Sequence, residues 1–142
     1  MDGNIQRRDG LRYALGAGNE RKLRRFASLI AQILDQARQA ISDGDSQTVG
    51  VLMREVQAMF DQLVAPICPA ELNAPKLHQV LEYPPIQELI WGGKGVGSQG
   101  DGSAQLIARG PEEQDEICKR LEELDVTCIK FTIQPAVKGD NT

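Results

Sequence analysis

The sequence predicts an α+β domain in which helices cover one face of a small antiparallel or mixed sheet. Apolar residues recur with helical spacing through the first half, whereas the second half alternates strand, helix and strand. The chain has 142 residues, 41% of them hydrophobic, which suits one domain with one core. We expect an N-terminal extension over 1–19, the domain itself over 20–134 and a polar tail over 135–142.

Helices dominate the first half of the predicted domain. A short helix is predicted over 4–15, followed by a break at 16–19, where two of the four residues are glycine. Apolar side chains at three- and four-residue steps then predict a long amphipathic helix over 20–43, which ends at Gly44.

A second amphipathic helix follows after a very short turn. Asp45 or Ser46 caps its N-terminus and Pro66 marks its end, so the two helices should pack antiparallel. A shorter helix is predicted over 71–82. The single histidine, His78, lies on this helix and is interpreted as a surface or internally satisfied side chain, because no second histidine or suitably spaced cysteine accompanies it.

Alternating apolar residues predict two strands in the second half, over 103–109 and 127–133. Between them, Pro111 begins a helix whose first turn holds two glutamates, which suit the positive end of the helix dipole. A two-stranded sheet is marginal on its own, so we expect a further strand from 86–94 or from outside this chain.

The charge balance argues against a polyanionic partner. The chain has 16 basic and 20 acidic residues and a net charge of −4, so neither nucleic acid nor an anionic membrane is expected as its main partner. Residues 1–25 hold seven cations and three acids, a local charge of +4. The basic run over 21–25 is interpreted as a solvated helix face, with a patch for nucleic acid or an acidic partner as the alternative.

The cysteines and the hydropathy pattern point to a reducing compartment. Cys68, Cys118 and Cys128 are an odd number without CxxC spacing, which predicts neither a disulfide framework nor a zinc site. No stretch reaches the ~18 apolar residues of a membrane span, and the N-terminus lacks the apolar core of a signal peptide. We therefore expect a cytoplasmic protein.

The most informative segment is 91–102, in which six of the twelve residues are glycine. Successive backbone N–H groups in such a loop form concave anion sites, so phosphate is the first ligand to consider. The GxGxxG match over 95–100 precedes a strand rather than a helix, which argues against a dinucleotide fold. Lys94 is followed by glycine rather than by the Ser or Thr of a Walker loop.

This segment resembles the third conserved motif of the GHMP small-molecule kinases, which include galactokinase, homoserine kinase, mevalonate kinase and phosphomevalonate kinase. The family pattern is approximately G-A-K-x-T-G-A-G-G-G-G followed by apolar residues. The positions that match it are Gly93, Lys94, Gly97, Ser98, Gly100 and Gly102. The positions that depart from it are Val96 in place of Thr, and Gln99 and Asp101 in place of glycines.

Further segments extend the resemblance over 20–134. Residues 44–53 are similar to the family's GDxxxLGxLM helix start, and 68–72 to its SxPxL segment. The resemblance implies the ferredoxin-like C-terminal domain of such a kinase. The family's Pro-x-x-x-Gly-Leu-Gly-Ser-Ser loop and the segment with the catalytic base have no counterpart in the sequence. The resemblance therefore implies that ATP and Mg²⁺ are held by an N-terminal domain that this chain lacks.

The implied reaction is phosphoryl transfer from Mg-ATP to the hydroxyl of a sugar or a mevalonate-like alcohol, with this chain as one wall of the cleft. The residues that the resemblance places near phosphate or substrate are Gly93, Lys94, Gly97, Ser98, Gln99, Gly100, Asp101 and Gly102. Lys94 is expected either to contact phosphate or to cap a strand end, and Asp101 to hold the turn or bind a substrate hydroxyl. No catalytic residue, metal ligand or cofactor is expected on this chain alone.

Two other functions fit the same residues. One is a stand-alone ferredoxin-like module that binds a small anionic ligand in the glycine loop. The other is an interaction domain that pairs a sheet edge or a helix face with another chain, which allows a homo-oligomer. The simplest interpretation of the glycine run is a structural turn without any ligand contact.

Overall fold

The computed structural model describes residues 2–96 and 101–134, and the side chains from residue 18 onward within those ranges. Its elements, in chain order, are α1 (Asp2–Ser42), α2 (Ser46–Leu63), a 3-10 turn (Ala65–Ile67), α3 (Pro69–Leu72), α4 (Pro75–Leu81), a 3-10 helix (Pro84–Leu89), β1 (Ile90–Gly95), β2 (Ala104–Ala108), α5 (Pro111–Leu121) and a 3-10 turn (Glu122–Leu124). The fold is α+β, as predicted. No helix in the described residues has the length and apolar character needed to cross a membrane.

Helix α1 is continuous, so the predicted short helix over 4–15 and break at 16–19 are wrong. A glycine inside a helix costs only about 1 kcal/mol relative to alanine, which good helix formers on both sides offset. Gly18 has no neighbouring atom within 4 Å of where a Cβ would lie, so packing does not interrupt the helix there.

The antiparallel packing of α1 and α2 is confirmed. Gly44, with a φ of 70°, makes the turn between them, and the Asp45 carboxylate accepts a hydrogen bond of 3.1 Å from the Thr48 N–H. Phe26, in the middle of α1, and Phe60, near the end of α2, meet edge to face with ring centroids 5.9 Å apart. Helix α2 therefore begins at its predicted cap and ends at Leu63, shortly before Pro66.

The helix predicted over 71–82 is divided into α3 and α4. Ala74, between them, has a left-handed backbone with a φ of 44°, which a continuous right-handed helix does not accommodate. Pro75 then starts α4 with its fixed φ and without an N–H to satisfy.

The sheet is a two-stranded antiparallel hairpin formed by β1 and β2. The strand predicted over 103–109 is confirmed as β2, and the expected contribution from 86–94 begins at Ile90. Gly93 lies opposite Leu106, while an irregularity between Ile90 and Gly92 leaves Trp91 as an extra residue in β1.

Helices lie on both sides of the hairpin, which corrects the prediction that they cover one face. Gly92 faces Gly50 of α2, whereas a Cβ at the neighbouring Gly93 would meet the Leu81 side chain of α4 at 3.1 Å. Successive residues of a strand point to opposite faces, so the two glycines admit one helix each. The second face also packs α5, in a core cluster of Val80, Ile86, Ile90, Ile117 and Leu121.

Residues 126–134 form no strand within the described residues, so the strand predicted over 127–133 is wrong. They run along α5, where the Lys130 ammonium lies 2.7 Å from the Asp115 carboxylate. The apolar residues of the predicted alternation, Ile129, Phe131 and Ile133, are 84%, 62% and 57% exposed. Within the described residues, this segment pairs with neither strand of the sheet, so its alternation produces no strand. The tail over 135–142 lies outside the described residues.

Candidate functional site

The glycine run does not form one continuous loop. Its first part, Gly92 to Gly95, belongs to β1 and its glycines are buried, whereas Asp101 and Gly102 lie in an exposed turn before β2. The predicted site residues Gly97, Ser98, Gln99 and Gly100 lie outside the described residues. The Val96 N–H donates to the Ser103 carbonyl at 3.3 Å, which closes the hairpin below them.

Gly92 and Gly50 bring β1 and α2 into backbone contact. A Cβ at Gly50 would lie 2.5 Å from the Trp91 Cβ and 2.8 Å from the Gly92 nitrogen, and a Cβ at Gly92 would overlap the Gly50 carbonyl. The atoms that such a Cβ would meet belong to the backbone or are a Cβ fixed to it, so none of them can rotate away. These glycines are therefore required for close packing, not for ligand access.

Gly93, a predicted phosphate-loop residue, also serves packing. A Cβ there would lie 2.6 Å from the Leu106 side chain on the opposite strand. The adjacent Lys94 is half-buried and donates from its ammonium group to the Gly95 carbonyl at 2.6 Å. Burial lowers the pKa of Lys94. The Lys94 ammonium group thus bonds to a carbonyl at the end of β1, and its expected contact with phosphate stays a prediction.

Asp101 fastens the turn of the hairpin to α4. Its carboxylate accepts a 3.0 Å hydrogen bond from the Leu77 N–H, which is the third residue after the Ala74 N-cap. The side chain of an N-cap residue ordinarily accepts a hydrogen bond from this N–H, but the methyl group of Ala74 has no acceptor. Asp101 thus supplies the missing cap from a distant part of the chain. Gly102, beside it, has open space on its Cβ side.

Gln57 fastens the other arm of the hairpin to α2. It is the buried polar residue of the described core, and its side-chain oxygen accepts a 2.7 Å hydrogen bond from the Gly95 N–H. Its amide nitrogen donates to Asp61 at 3.0 Å. The sequence analysis missed Gln57, although a polar residue within the apolar stripe of α2 was the available signal.

Asp61 continues this polar chain to His78. The Asp61 carboxylate lies 2.9 Å from His78 Nε2, and the Ala74 carbonyl lies 2.8 Å from His78 Nδ1. A carbonyl and a carboxylate only accept hydrogen bonds, so these contacts favour the doubly protonated imidazole, in which both ring nitrogens donate. Burial lowers the pKa of His78, but the bonds to Asp61 and Ala74 outweigh it and the pKa is raised. The prediction of an internally satisfied histidine is confirmed.

An open cleft of about 270 Å³ lies beside this ion pair. Its lining residues are Asp61, Ala65, Leu72, Asn73 and His78. Both ring nitrogens of His78 are engaged in hydrogen bonds, so neither is free to act as a general base at the cleft. No group of three metal-ligating side chains comes together among the described side chains.

The three cysteines lie away from the hairpin turn and form no disulfide. Cys128 adjoins Cys118, and burial followed by their hydrogen bond raises the pKa of the Cys128 thiol to about 11. A thiol with so high a pKa is protonated near neutral pH and is a poor nucleophile.

The candidate site is therefore the turn of the glycine hairpin, tied to α2 through Gln57 and to α4 through Asp101, with the Asp61–His78 cleft at its side. Its side chains come from three segments that are remote in sequence: α2 supplies Gln57 and Asp61, α4 supplies His78, and the hairpin turn supplies Asp101. Comparison of the chain with family models, with curated proteins and with solved structures gives no match.

Proposed function

We propose that this chain is the substrate-side domain of an ATP-dependent kinase of the GHMP type, which phosphorylates the hydroxyl of a small molecule. The observation that carries the proposal is the contact between Gly50 and Gly92. These residues belong to two separate segments, 44–53 and 91–102, that each resemble a motif of this family. Segments that are remote in sequence and resemble one family are expected to meet if the resemblance reflects a common fold.

The anchoring of the hairpin supports the same proposal. Gln57 holds the end of β1 at Gly95, and Asp101 holds the chain shortly before β2, so both flanks of residues 97–100 in sequence are anchored. A loop that must lie against a phosphate needs such support, because small displacements of a catalytic surface cost rate. Gly102 leaves open space on the same turn.

ATP and Mg²⁺ are assigned to a separate domain in this proposal. The two carboxylates of the candidate site are already engaged, Asp101 with the Leu77 N–H and Asp61 with His78. They do not form a magnesium site of their own. This chain would contribute one wall of the cleft, with Gly97, Ser98 and Gly100 allowing close approach by resemblance to the family motif, and no catalytic residue.

The test is a titration of the isotope-labelled chain, followed by amide chemical shifts, with phosphate monoesters that such kinases produce. Galactose 1-phosphate, O-phosphohomoserine and phosphomevalonate are each compared with inorganic phosphate. We expect one monoester to shift the amides of 93–103 in a saturable manner, at least about tenfold more tightly than inorganic phosphate. The absence of any saturable shift would contradict the proposal.

Glycine variants sharpen this titration. Gly102→Ala adds a methyl group to open space at the turn, so we expect normal folding and weaker binding of the monoester by about tenfold. Gly18→Ala adds the same group to open space on α1 and serves as the matched control. Equal binding of inorganic phosphate and every monoester would instead favour the module that binds anions without acceptor selectivity. We also expect no ATP-dependent phosphorylation of these alcohols by the purified chain alone.

A further inference from the structure

Two arginines and the single tryptophan meet at the start of β1, away from the hairpin turn. Arg54 of α2 donates from Nε to the Trp91 carbonyl at 3.1 Å, and Arg109, just after β2, donates from Nε to the Ile90 carbonyl at 3.1 Å. The Arg109 guanidinium carbon also lies 4.5 Å from the centroid of the Trp91 ring. Both cations therefore contact the same tryptophan.

The backbone holds this group in place. Trp91 is the extra residue in β1 between Ile90 and Gly92. Its Cβ packs so closely on Gly50 of α2 that a Cβ at Gly50 would lie 2.5 Å away. Arg54 lies one helical turn after Gly50 on the same face, which gives its side chain the reach to the Trp91 carbonyl. Each guanidinium is thus oriented by its own carbonyl before any ligand arrives.

The outer donors of both guanidiniums have no partner among the described residues. Only the Nε atom of each is engaged by a hydrogen bond, and neither Arg54 nor Arg109 belongs to an ion pair of the described side chains. Arg120 makes the contrast, because it is paired with Glu116 and Glu88. A chain of net charge −4 therefore keeps two exposed and uncompensated cations on one tryptophan, Arg109 against its ring and Arg54 on its carbonyl.

We propose that Arg54, Trp91 and Arg109 bind the phosphate group of a small molecule. A phosphate monoester carries a charge of about −2 near neutral pH, which matches the two cations, whereas a carboxylate carries half of it. The planar donors of arginine suit a phosphate, and the Trp91 ring limits solvent on one side of the Arg109 guanidinium. Trp91 lies roughly 13 Å along the strand from Gly95, so this site is separate from the turn and independent of the proposed kinase function.

The fluorescence of Trp91 tests the proposal directly, because the chain has no other tryptophan. Inorganic phosphate and glycerol 3-phosphate are titrated at constant ionic strength, with acetate and chloride as the comparison anions. We expect a saturable change with both phosphate compounds and none with acetate or chloride. No saturable change with phosphate, or an equal response to acetate, would overturn the proposal.

Single-site variants assign the response to these side chains. Arg54→Gln and Arg109→Gln should each weaken binding at least about tenfold, since each removes charged hydrogen bonds to the anion. Arg38→Gln removes the same charge from an exposed position on α1 and should leave binding unchanged. Equal weakening by Arg38→Gln would mean a diffuse electrostatic effect and would sink the proposed site.

Folding is checked for each variant by circular dichroism. If Arg109→Gln perturbs the sheet by removing the ring contact, Arg54→Gln decides, because the hydrogen bond that it removes ends on the Trp91 carbonyl and leaves the ring contact in place. Gly102→Ala, designed for the turn, should not alter the Trp91 response. The two sites can therefore fail separately.

Discussion

The two halves of the glycine run differ in what their glycines are for. Gly92 and Gly93 are buried and let helices approach β1 from either face, whereas Gly102 is exposed and borders open space. A run of one composition thus combines a packing surface with a turn. The difference teaches that glycine density alone does not identify a ligand loop, because close approach by the protein's own backbone demands the same residue.

The largest expected effect is at the strand half. Gly92→Ala should destabilise the fold by about 3 kcal/mol, because its methyl group would overlap the α2 backbone, which has no side chain to move. Gly102→Ala should change stability by less than about 0.5 kcal/mol. Urea unfolding of both variants measures the difference. Similar losses at the two positions would break the comparison.

The next effect concerns the anchor of the strand half. Gln57→Leu removes the acceptor of the Gly95 N–H in a buried setting, and we expect a loss of about 1–3 kcal/mol. Gln62→Leu, at an exposed position of the same helix, is the control and should be nearly neutral. Equal stability of the two variants in urea would show that Gln57 does not fix β1.

The anchor of the turn half should matter less. Asp101→Ala removes the acceptor from the Leu77 N–H, and caps of this kind are worth about 1 kcal/mol. Asp101→Asn keeps an acceptor oxygen and should restore most of the loss. Thermal melts of the pair provide the measurement, and a failure of Asn to rescue would argue that the carboxylate charge, not the cap, is what counts.

The smallest effect is a pH dependence in the link between α2 and α4. The pKa of His78 is raised above 6.5, its value in an unfolded chain, so its stabilising contribution is complete below that pH and is lost as pH rises through the folded value. His78→Gln should therefore cost more stability at about pH 5.5 than at about pH 8.5. Unfolding free energies of wild type and variant at both pH values check this; a constant difference would contradict it.

The helices could be predicted because their apolar periodicity is local and long. Asp45 and Ser46 were the two predicted candidates for the cap of α2, and Asp45 is the cap. The turn at Gly44 and the proline at Pro66 indicated where this helix begins and ends. The continuity of α1 was not predicted. The free-energy cost of its glycines is small compared with the stabilisation that a long helix gains from its other residues.

The candidate site was harder to predict because its contacts are distant in sequence. The three bonds from Gln57 to Gly95, Asp101 to Leu77 and Asp61 to His78 join segments that no local pattern connects. Glycines concealed β1 as a loop, since they lack the β-branched side chains that predict a strand. The segment 127–133 shows the reverse, because its alternation predicts a strand for which the described residues offer no partner.

The contact between Gly50 and Gly92 has a consequence for how this protein can evolve. A side chain at either position meets the backbone of the other element, so no compensating change at the partner glycine can make room. Both positions therefore have to remain glycine together, and substitutions accumulate at the surface positions around them. In a set of homologues, we expect this pair to stay invariant while Gly18, which borders open space on α1, accepts alanine or serine.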